Sequence, residues 1–251
     1  MMKKYLDLLV KYYNTLISRN VVAMIKKEIS GYFYSLIAYI ILVVFLFIIG
    51  YFFAAPLFIM NSATLRGVVD IIPLIMLFII PALTMRLYSE EIKSGTIEIL
   101  YTQPVYDYEI LFGKYFSAVL FYSVILATTL IFPLILILIG SPDIGQIVAQ
   151  YIGLFFTGAM FISVGIFSSV LTKNQVISYL ISFLICFAFF MIGKIVIFFP
   201  GIISDVLGFI GLDSHYSNIT RGVVDTRDLI YFISIISLFL YSALASLRAK
   251  R

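Results

Sequence analysis

Six blocks of apolar residues, at about 32–55, 67–87, 109–139, 147–171, 176–199 and 228–247, dominate the pattern along the 251-residue chain. A helix rises about 1.5 Å per residue, so about 20 residues cross a hydrocarbon core of roughly 30 Å. Each block is long enough, and together they predict six transmembrane helices. Pro73 and Pro81 in the second block and Pro133 in the third predict kinks or interruptions. Lipid supplies no hydrogen bonds, so such breaks hold only where neighbouring helices take up the freed carbonyls.

Ahead of the first block, residues 3–20 place Asp7, Lys11, Asn14 and Ser18 on one side of a helix and Tyr5, Leu8, Leu9, Tyr12 and Leu16 on the other. From Val21 to Ile29 the pattern continues, with Lys26, Lys27 and Glu28 polar and Val22, Ile25 and Ile29 sharing a face. Residues 1–31 are therefore expected to form an amphipathic leader lying on the membrane surface. The basic stretch is too extended, and the first apolar block too long, for a cleavable signal with its apolar core of about 7–15 residues.

Residues 88–109 form the only long polar stretch flanked on both sides by hydrocarbon-length runs. Ser89 is placed to cap a short helix with Glu90 and Glu91 in its first turn, at the positive end of the helix dipole. Gly95 breaks that helix, and Thr96 opens a second one that must stop before Pro104. Asp107 is the expected cap of the third span. The result is an elbow of two short amphipathic helices bearing Glu90, Glu91, Lys93 and Glu98, held at the membrane face by a span on either side. Such an elbow is a handle on which a partner can push.

The other substantial polar segment covers residues 200–228. Its first half is too short and too rich in glycine to cross, which predicts re-entrant helices before the last span. Its candidate residues are His215, Arg221, Asp225, Arg227 and Asp228, and the last four are close enough in sequence to pair at the head of the last span.

Composition agrees with a membrane protein: 63% of residues are hydrophobic and 12% charged, against about 25% charged in soluble domains. The formal charge of +4 comes without a basic cluster outside the span flanks, so no nucleic-acid partner is expected. Cys186, the one cysteine, sits mid-span, cannot form an intrachain disulfide, and is read as a small apolar packer. The one histidine, His215, lacks a second for a metal pair, and Gly113-Lys114 lacks the spacing of a phosphate loop. No catalytic residue, metal or bound cofactor is therefore expected. Apart from Lys194, near the end of the fifth block, no ionisable residue lies well inside a block, so the mid-depth site of an ion-coupled carrier is missing. Energy for any transport must arrive from outside the spans. Thr128, Thr129, Thr157, Gly158, Ser163, Gly165, Ser168 and Ser169 are read as small residues that let helices pack closely.

Basic residues set the orientation. With the amino terminus cytoplasmic, that side holds Lys3, Lys4, Lys11, Arg19, Lys26, Lys27, Arg86, Lys93, Lys114, Lys173, Arg248, Lys250 and Arg251. The other side holds Arg66, Lys194, Arg221 and Arg227. Thirteen against four places both termini and the elbow in the cytoplasm.

The elbow with its flanks, Ile80-Pro-Ala-Leu-Thr-Met-Arg-Leu-Tyr-Ser-Glu-Glu-Ile-Lys-Ser-Gly-Thr-Ile-Glu-Ile-Leu-Tyr-Thr-Gln-Pro-Val and Glu109-Ile-Leu-Phe-Gly-Lys-Tyr, resembles permease subunits of type-2 ATP-binding-cassette (ABC) exporters. Two further stretches, Tyr151 through Val176 and Asp213 through Phe232, are similar to the gliding-motility-associated permeases of that class. The resemblance spans residues 24–251 and places the usual start near Met24, so that residues 1–23 read as an addition or a misplaced start. It implies an all-α, six-span permease domain over residues 32–251, with an interfacial helix before the first span, a coupling helix in the elbow and re-entrant helices at 200–228. It also implies that Glu90, Glu91, Lys93, Ser94, Gly95, Thr96 and Glu98 dock on a separate, dimeric ABC ATPase. That partner would hold ATP and magnesium, and a second permease, identical or different, would complete the unit. The expected role is a plasma-membrane exporter permease moving a hydrophobic or lipid-linked cargo. The alternative is a membrane anchor or force transmitter in an envelope machine driven by the same ATPase.

Overall fold

The computed structural model describes residues 19–59, 65–102, 105–140, 142–198 and 200–250. The surface helix expected over residues 3–20 falls almost wholly outside this set, as does Pro104. Among the described residues the regular structure is all helical. In chain order it comprises α1 (Arg19–Phe33), α2 (Leu36–Ile59), α3 (Arg66–Thr84), α4 (Arg86–Ser94), α5 (Thr96–Thr102) and α6 (Asp107–Thr128). There follow α7 (Ile131–Ile139), α8 (Ile144–Leu171), α9 (Gln175–Ile195), α10 (Ile202–Ile210), α11 (Leu212–Thr220) and α12 (Thr226–Lys250). Six helical stretches are long and apolar enough to cross a membrane: Leu36–Phe58, Arg66–Ser94, Asp107–Ile139, Ile144–Leu171, Gln175–Ile195 and Thr226–Lys250. They coincide with the six apolar blocks.

The bundle is organised around α8, which packs against α3, α4, α6, α9, α11 and α12. A helix enclosed on nearly every side has room only for small side chains where its neighbours come closest. Gly158 lies against the Tyr122 ring and Gly165 against the Thr84 side chain, and a Cβ at either position would collide with those atoms. The buried hydroxyls of Ser163 and Ser168 bond back to the carbonyls of Met160 (2.7 Å) and Gly165 (2.9 Å), so these residues serve packing. Cys186 is likewise fully buried. Asp143 caps the start of α8 by accepting from the Gly145 and Gln146 amides. At the other end Lys250 Nζ donates to the carbonyls of Val170 and Leu171, at 2.6 and 3.0 Å.

The prolines behave as their missing N–H groups require. Pro73 leaves the Val69 carbonyl without a helical donor, and the Tyr216 hydroxyl of α11 donates to it at 2.6 Å. Burial raises the pKa of that hydroxyl well above its ordinary value, with the charge of Asp70 and the nearby Tyr122 adding to the effect. Pro133 would clash with the Thr129 carbonyl in an unbroken helix, and the third span is interrupted there, between α6 and α7. The Thr128 and Thr129 hydroxyls take up the carbonyls of Ile125 and Leu126, both at 2.6 Å.

Helix α1 packs along α6. It runs alongside α6 in the same direction: Asn20 Nδ2 donates to Glu109 (3.2 Å), Met24 packs on Gly113, Glu28 meets Lys114, and Tyr32 stacks on Phe121 at 4.8 Å. Its buried stripe is Val21, Met24 and Tyr32, not Val22, Ile25 and Ile29. The reason is Glu28, an acid that lies in the inward stripe because its partner waits there.

If close approach of α3 and α8 holds the bundle, Gly165→Ala should destabilise by about 1–3 kcal/mol through overpacking against Thr84. Gly31→Ala, on the open face of α1 with nothing within 4 Å, should stabilise by about 0.5–1 kcal/mol. Thermal unfolding of the detergent-solubilised protein measures both, and equal midpoints would remove Gly165 from its packing role.

Candidate functional site

The elbow is α4 and α5, and its geometry begins at a break in a helix. α3 and α4 form one rod of 29 residues, interrupted at Met85. At that point Ser169 of α8 inserts its hydroxyl into the backbone ladder. Its Oγ accepts from the amides of Tyr88 (2.9 Å) and Ser89 (3.1 Å) and donates to the Met85 carbonyl (2.9 Å). An inserted side chain of this kind is a recognised cause of a helix kink. Ser89 is therefore a buried mid-helix residue whose hydroxyl bonds back to Met85, not the expected N-cap. Glu90 and Glu91 lie past the first turn of α4, and the proposed dipole contact does not form.

The end of α4 follows the sequence pattern. Gly95 has φ +74°, the left-handed conformation that ends helices and that residues with a Cβ rarely adopt. Ser94 Oγ donates to the Glu90 carbonyl (2.8 Å) and lies 2.9 Å from Thr96 Oγ1, which starts α5. Further on, the cap of α6 falls on Tyr106, whose amide donates to Glu109 Oε2 at 3.0 Å. Asp107 is instead the first residue of that helix.

Beneath the elbow lies a buried lysine. Lys114 of α6 is 1% exposed; its Nζ donates to Glu28 Oε1 at 2.9 Å and to the Leu87 carbonyl at 2.8 Å, and forms an ion pair with Glu91 Oε1 at 2.9 Å. Its ammonium also sits 5.1 Å from the centre of the Tyr88 ring. Lys27, largely exposed, lies 3.4 Å from Glu91 and 3.6 Å from Glu28 and makes the four-residue cluster neutral. Two hydrogen bonds and two neighbouring carboxylates compensate the ammonium group for the water it loses on burial. A cavity of about 360 Å³ opens beside this cluster, between α1 and the elbow, and is lined in part by Tyr32, Arg86 and Glu90. Burial and the neighbouring Glu28 charge push the Tyr32 hydroxyl well above its usual range, with Arg86 opposing.

The elbow thus has two faces. Leu87, Tyr88, Ser89 and Ile97 are buried, and Glu91 turns inward to Lys114. Glu90, Lys93, Ser94, Gly95, Thr96, Glu98 and Ile99 are exposed, Ile99 at 63%. Sequence reasoning grouped Glu91 with the outward residues and missed Glu28, Lys114 and Ser169. The available signals were a lone lysine within an apolar block and an acid in phase with Val21, Met24 and Tyr32.

On the side opposite the elbow, the structure joins His215 to Asp228 through their side chains and Asp225 to the Arg227 backbone. His215 Nδ1 lies 2.7 Å from Asp228 Oδ1. Its Nε2 faces the Phe209 carbonyl at 3.0 Å, and its ring stacks on Tyr231 at 4.0 Å. A carbonyl only accepts, so Nε2 is the nitrogen placed to donate. Arg221, Asp225 and Arg227 are exposed, and among the described residues no ion pair links the four charged positions of this segment to one another. Asp228 is instead buried toward His215 across the α11–α12 contact. Asp225 accepts from the Arg227 amide (3.0 Å) and the Thr226 hydroxyl (3.3 Å). Those bonds, the amide first, hold its carboxyl below the usual range, with the Arg227 charge adding to them. Among the described residues no three His, Cys, Asp or Glu side chains converge as metal ligands.

Residues 57–248, which hold five of the six crossing-length helices and the polar elbow between the second and third, are matched by the family described as ABC-2 family transporter protein. The chain belongs to the ABC-2 transporter family. No curated protein is significantly similar to it. ABC-2 proteins are the membrane component of ABC transporters, so the family implies an ABC ATPase as partner and makes this chain a permease subunit. The matched region contains the elbow, Ser169, Lys114 and the α10–α12 segment, whereas α1 and Glu28 lie outside it.

The cluster around Lys114 predicts a non-additive mutational pattern. Lys114→Met alone leaves two acids with only the largely exposed Lys27 beside them and should cost about 3–5 kcal/mol. Adding Glu28→Gln and Glu91→Gln should recover more than half of that loss. Unfolding midpoints in detergent provide the cycle, and strictly additive losses would show that the three side chains do not act together.

Proposed function

We propose that this ABC-2 permease is the transmembrane half of an exporter in which an ATPase, with its ATP and magnesium, pushes on the exposed tip of the elbow. The observation that carries the reading is the two-faced elbow. Its inward side is pinned to Lys114 and Ser169, while Glu90, Lys93, Ser94, Gly95, Thr96, Glu98 and Ile99 are exposed. Two acids and one lysine around an exposed isoleucine suit a basic groove with an apolar floor. A push at this tip acts on the far end of the α3–α4 rod, and α3 packs directly on α8.

The basic-residue count orients the elbow to the cytoplasm of a plasma membrane, with both termini on that side and α10–α11 opposite. The exposed apolar faces of α2, α9 and α12 suit burial against lipid and against a second permease. A hydrophobic or lipid-linked cargo fits a bundle whose buried interior has no mid-depth charge among its described residues. Within the class, the stretch from Asp213 to Phe232 supports the narrower likeness to gliding-motility-associated permeases, which by itself says nothing of motility.

Orientation is checked by a membrane-impermeant thiol reagent. Native Cys186 should stay unlabelled, Val223→Cys should label in intact cells, and Ser94→Cys should label only after permeabilisation. Labelling of Ser94→Cys in intact cells would reverse the assignment.

Docking is checked by affinity capture of the tagged permease from native membranes, with recovered ABC ATPase quantified by mass spectrometry. Glu98→Lys and Ile99→Asp, at matched permease yield, should each lower recovery about tenfold, since losing one member of a desolvated pair costs about 2–5 kcal/mol. Glu91 is unsuitable for this test, because its replacement would also break the Lys114 cluster. Undiminished recovery with both variants would sink the docking role of the tip.

A further inference from the structure

We propose that the end of the bundle opposite the elbow binds the phosphodiester headgroup of an anionic lipid, between Arg66 and Arg221. A cleft of about 250 Å³ opens there where the start of α3, the end of α9 and α11 meet. Its walls are fixed by contacts already described or close by. The Tyr216 hydroxyl holds α11 to α3 through the Val69 carbonyl. Gly193 and Gly211 let α9 and α11 touch, with a Cβ on Gly211 falling 2.8 Å from the Gly193 amide nitrogen.

The charges of the cleft decide its ligand. Arg66, Lys194 and Arg221 face Asp70 and Asp213. Lys194 Nζ is paired with Asp213 Oδ1 at 2.5 Å, which removes one charge of each sign. The Arg66 and Arg221 side chains make no hydrogen bond and no ion pair within 4 Å among the described residues, although both line the cleft. Two arginines against one free carboxylate leave a surplus of one positive charge. A phosphodiester carries one negative charge, whereas a phosphomonoester carries about 1.5–2 at neutral pH. Guanidinium groups also match phosphate oxygens in planar, two-pronged geometry.

The choice of a lipid over a soluble ester comes from what lies below the cleft. Pro73 and Phe190 form part of its lining, and deeper along the same two helices Phe78 of α3 meets Phe183 of α9 with ring centres 5.1 Å apart. Phe187 and Leu74 on this seam are exposed. A headgroup seated between the arginines would therefore lay its chains along an apolar, aromatic groove continuous with the site. The site does not depend on ATPase docking, and the elbow variants should leave it intact.

The test uses the full chain in detergent, equilibrated with equal amounts of phosphatidylglycerol and phosphatidylcholine, with bound lipid read by native mass spectrometry. Wild type should retain phosphatidylglycerol in preference. Arg66→Gln with Arg221→Gln should lower that retention about tenfold, while Arg227→Gln, an exposed arginine outside the cleft, should not. If Arg66→Gln compromises folding, Arg221→Gln alone, on the exposed turn after α11, decides the matter. Retention unchanged by the arginine substitutions, or no preference between the lipids, would overturn the site. Arginine-dependent binding of soluble glycerol phosphate without lipid retention would overturn the lipid and leave a free phosphate ester as the ligand.

Discussion

A buried ammonium ion surrounded by apolar helices is tolerable only when every proton has an acceptor and the local charge cancels. Lys114 is held by drawing on three separated segments: hydrogen bonds to Glu28 of α1 and to the Leu87 carbonyl of α4, an ion pair with Glu91 of α4, and its own place on α6. Each contributor depends on the others. Without Lys114, Glu28 would be an acid inside the buried stripe of α1, and that helix would lose its reason to lie along α6. Without Glu91, the cluster would be left with an excess of positive charge beneath the elbow. The position of the elbow relative to the spans is therefore a consequence of charge satisfaction as much as of apolar packing.

Ser169 provides a second tie of a different kind. The Lys114 cluster sets where α4 lies, whereas the Ser169 hydroxyl sets how it leaves α3, by standing in the ladder where Tyr88 and Ser89 would otherwise find carbonyls. Both ties grip the inward side of α4 and leave its other side and the tip open. Thr84, just before the break, packs so closely on Gly165 that a Cβ there would collide with it. Packed interiors transmit displacement instead of absorbing it, which suits the push proposed for the rod.

What the sequence made legible is what local rules govern. Span number follows from run length, the turn at Gly95 from its lack of a Cβ, and the break in the third span from Pro133. Even Pro73 announced an orphan carbonyl, although not its partner. The misread residues share a different property: their partners are remote. Glu28 and Lys114 are 86 residues apart, Ser89 and Ser169 are 80 apart, and Tyr216 and Val69 are 147 apart. Local reasoning assigned Ser89 to a cap, Glu91 to an outward face and Asp228 to neighbouring arginines, because capping and charge pairing are the interactions a linear reading can see. In each case a buried partner from another helix outcompeted the local one, as burial makes an unsatisfied polar group costlier than a lost surface contact.

The two ends of the α3–α4 rod resolve the same problem in opposite ways. At the elbow end the charges close on themselves: Lys27, Glu28, Glu91 and Lys114 sum to zero and leave nothing for a ligand to neutralise. At the other end α3 begins with Arg66 on an open cleft, and the acid nearest in its own helix, Asp70, does not come within ion-pair distance. Tyr216, bonded to the carbonyl that Pro73 frees, keeps α11 against that end and so keeps Arg221 facing the same opening. A closed cluster gives rigidity where a mechanical partner would push. An unclosed one keeps two guanidinium groups available where the rod meets the opposite face. The proline that breaks the ladder of α3 is thus also what fixes the geometry of its open end.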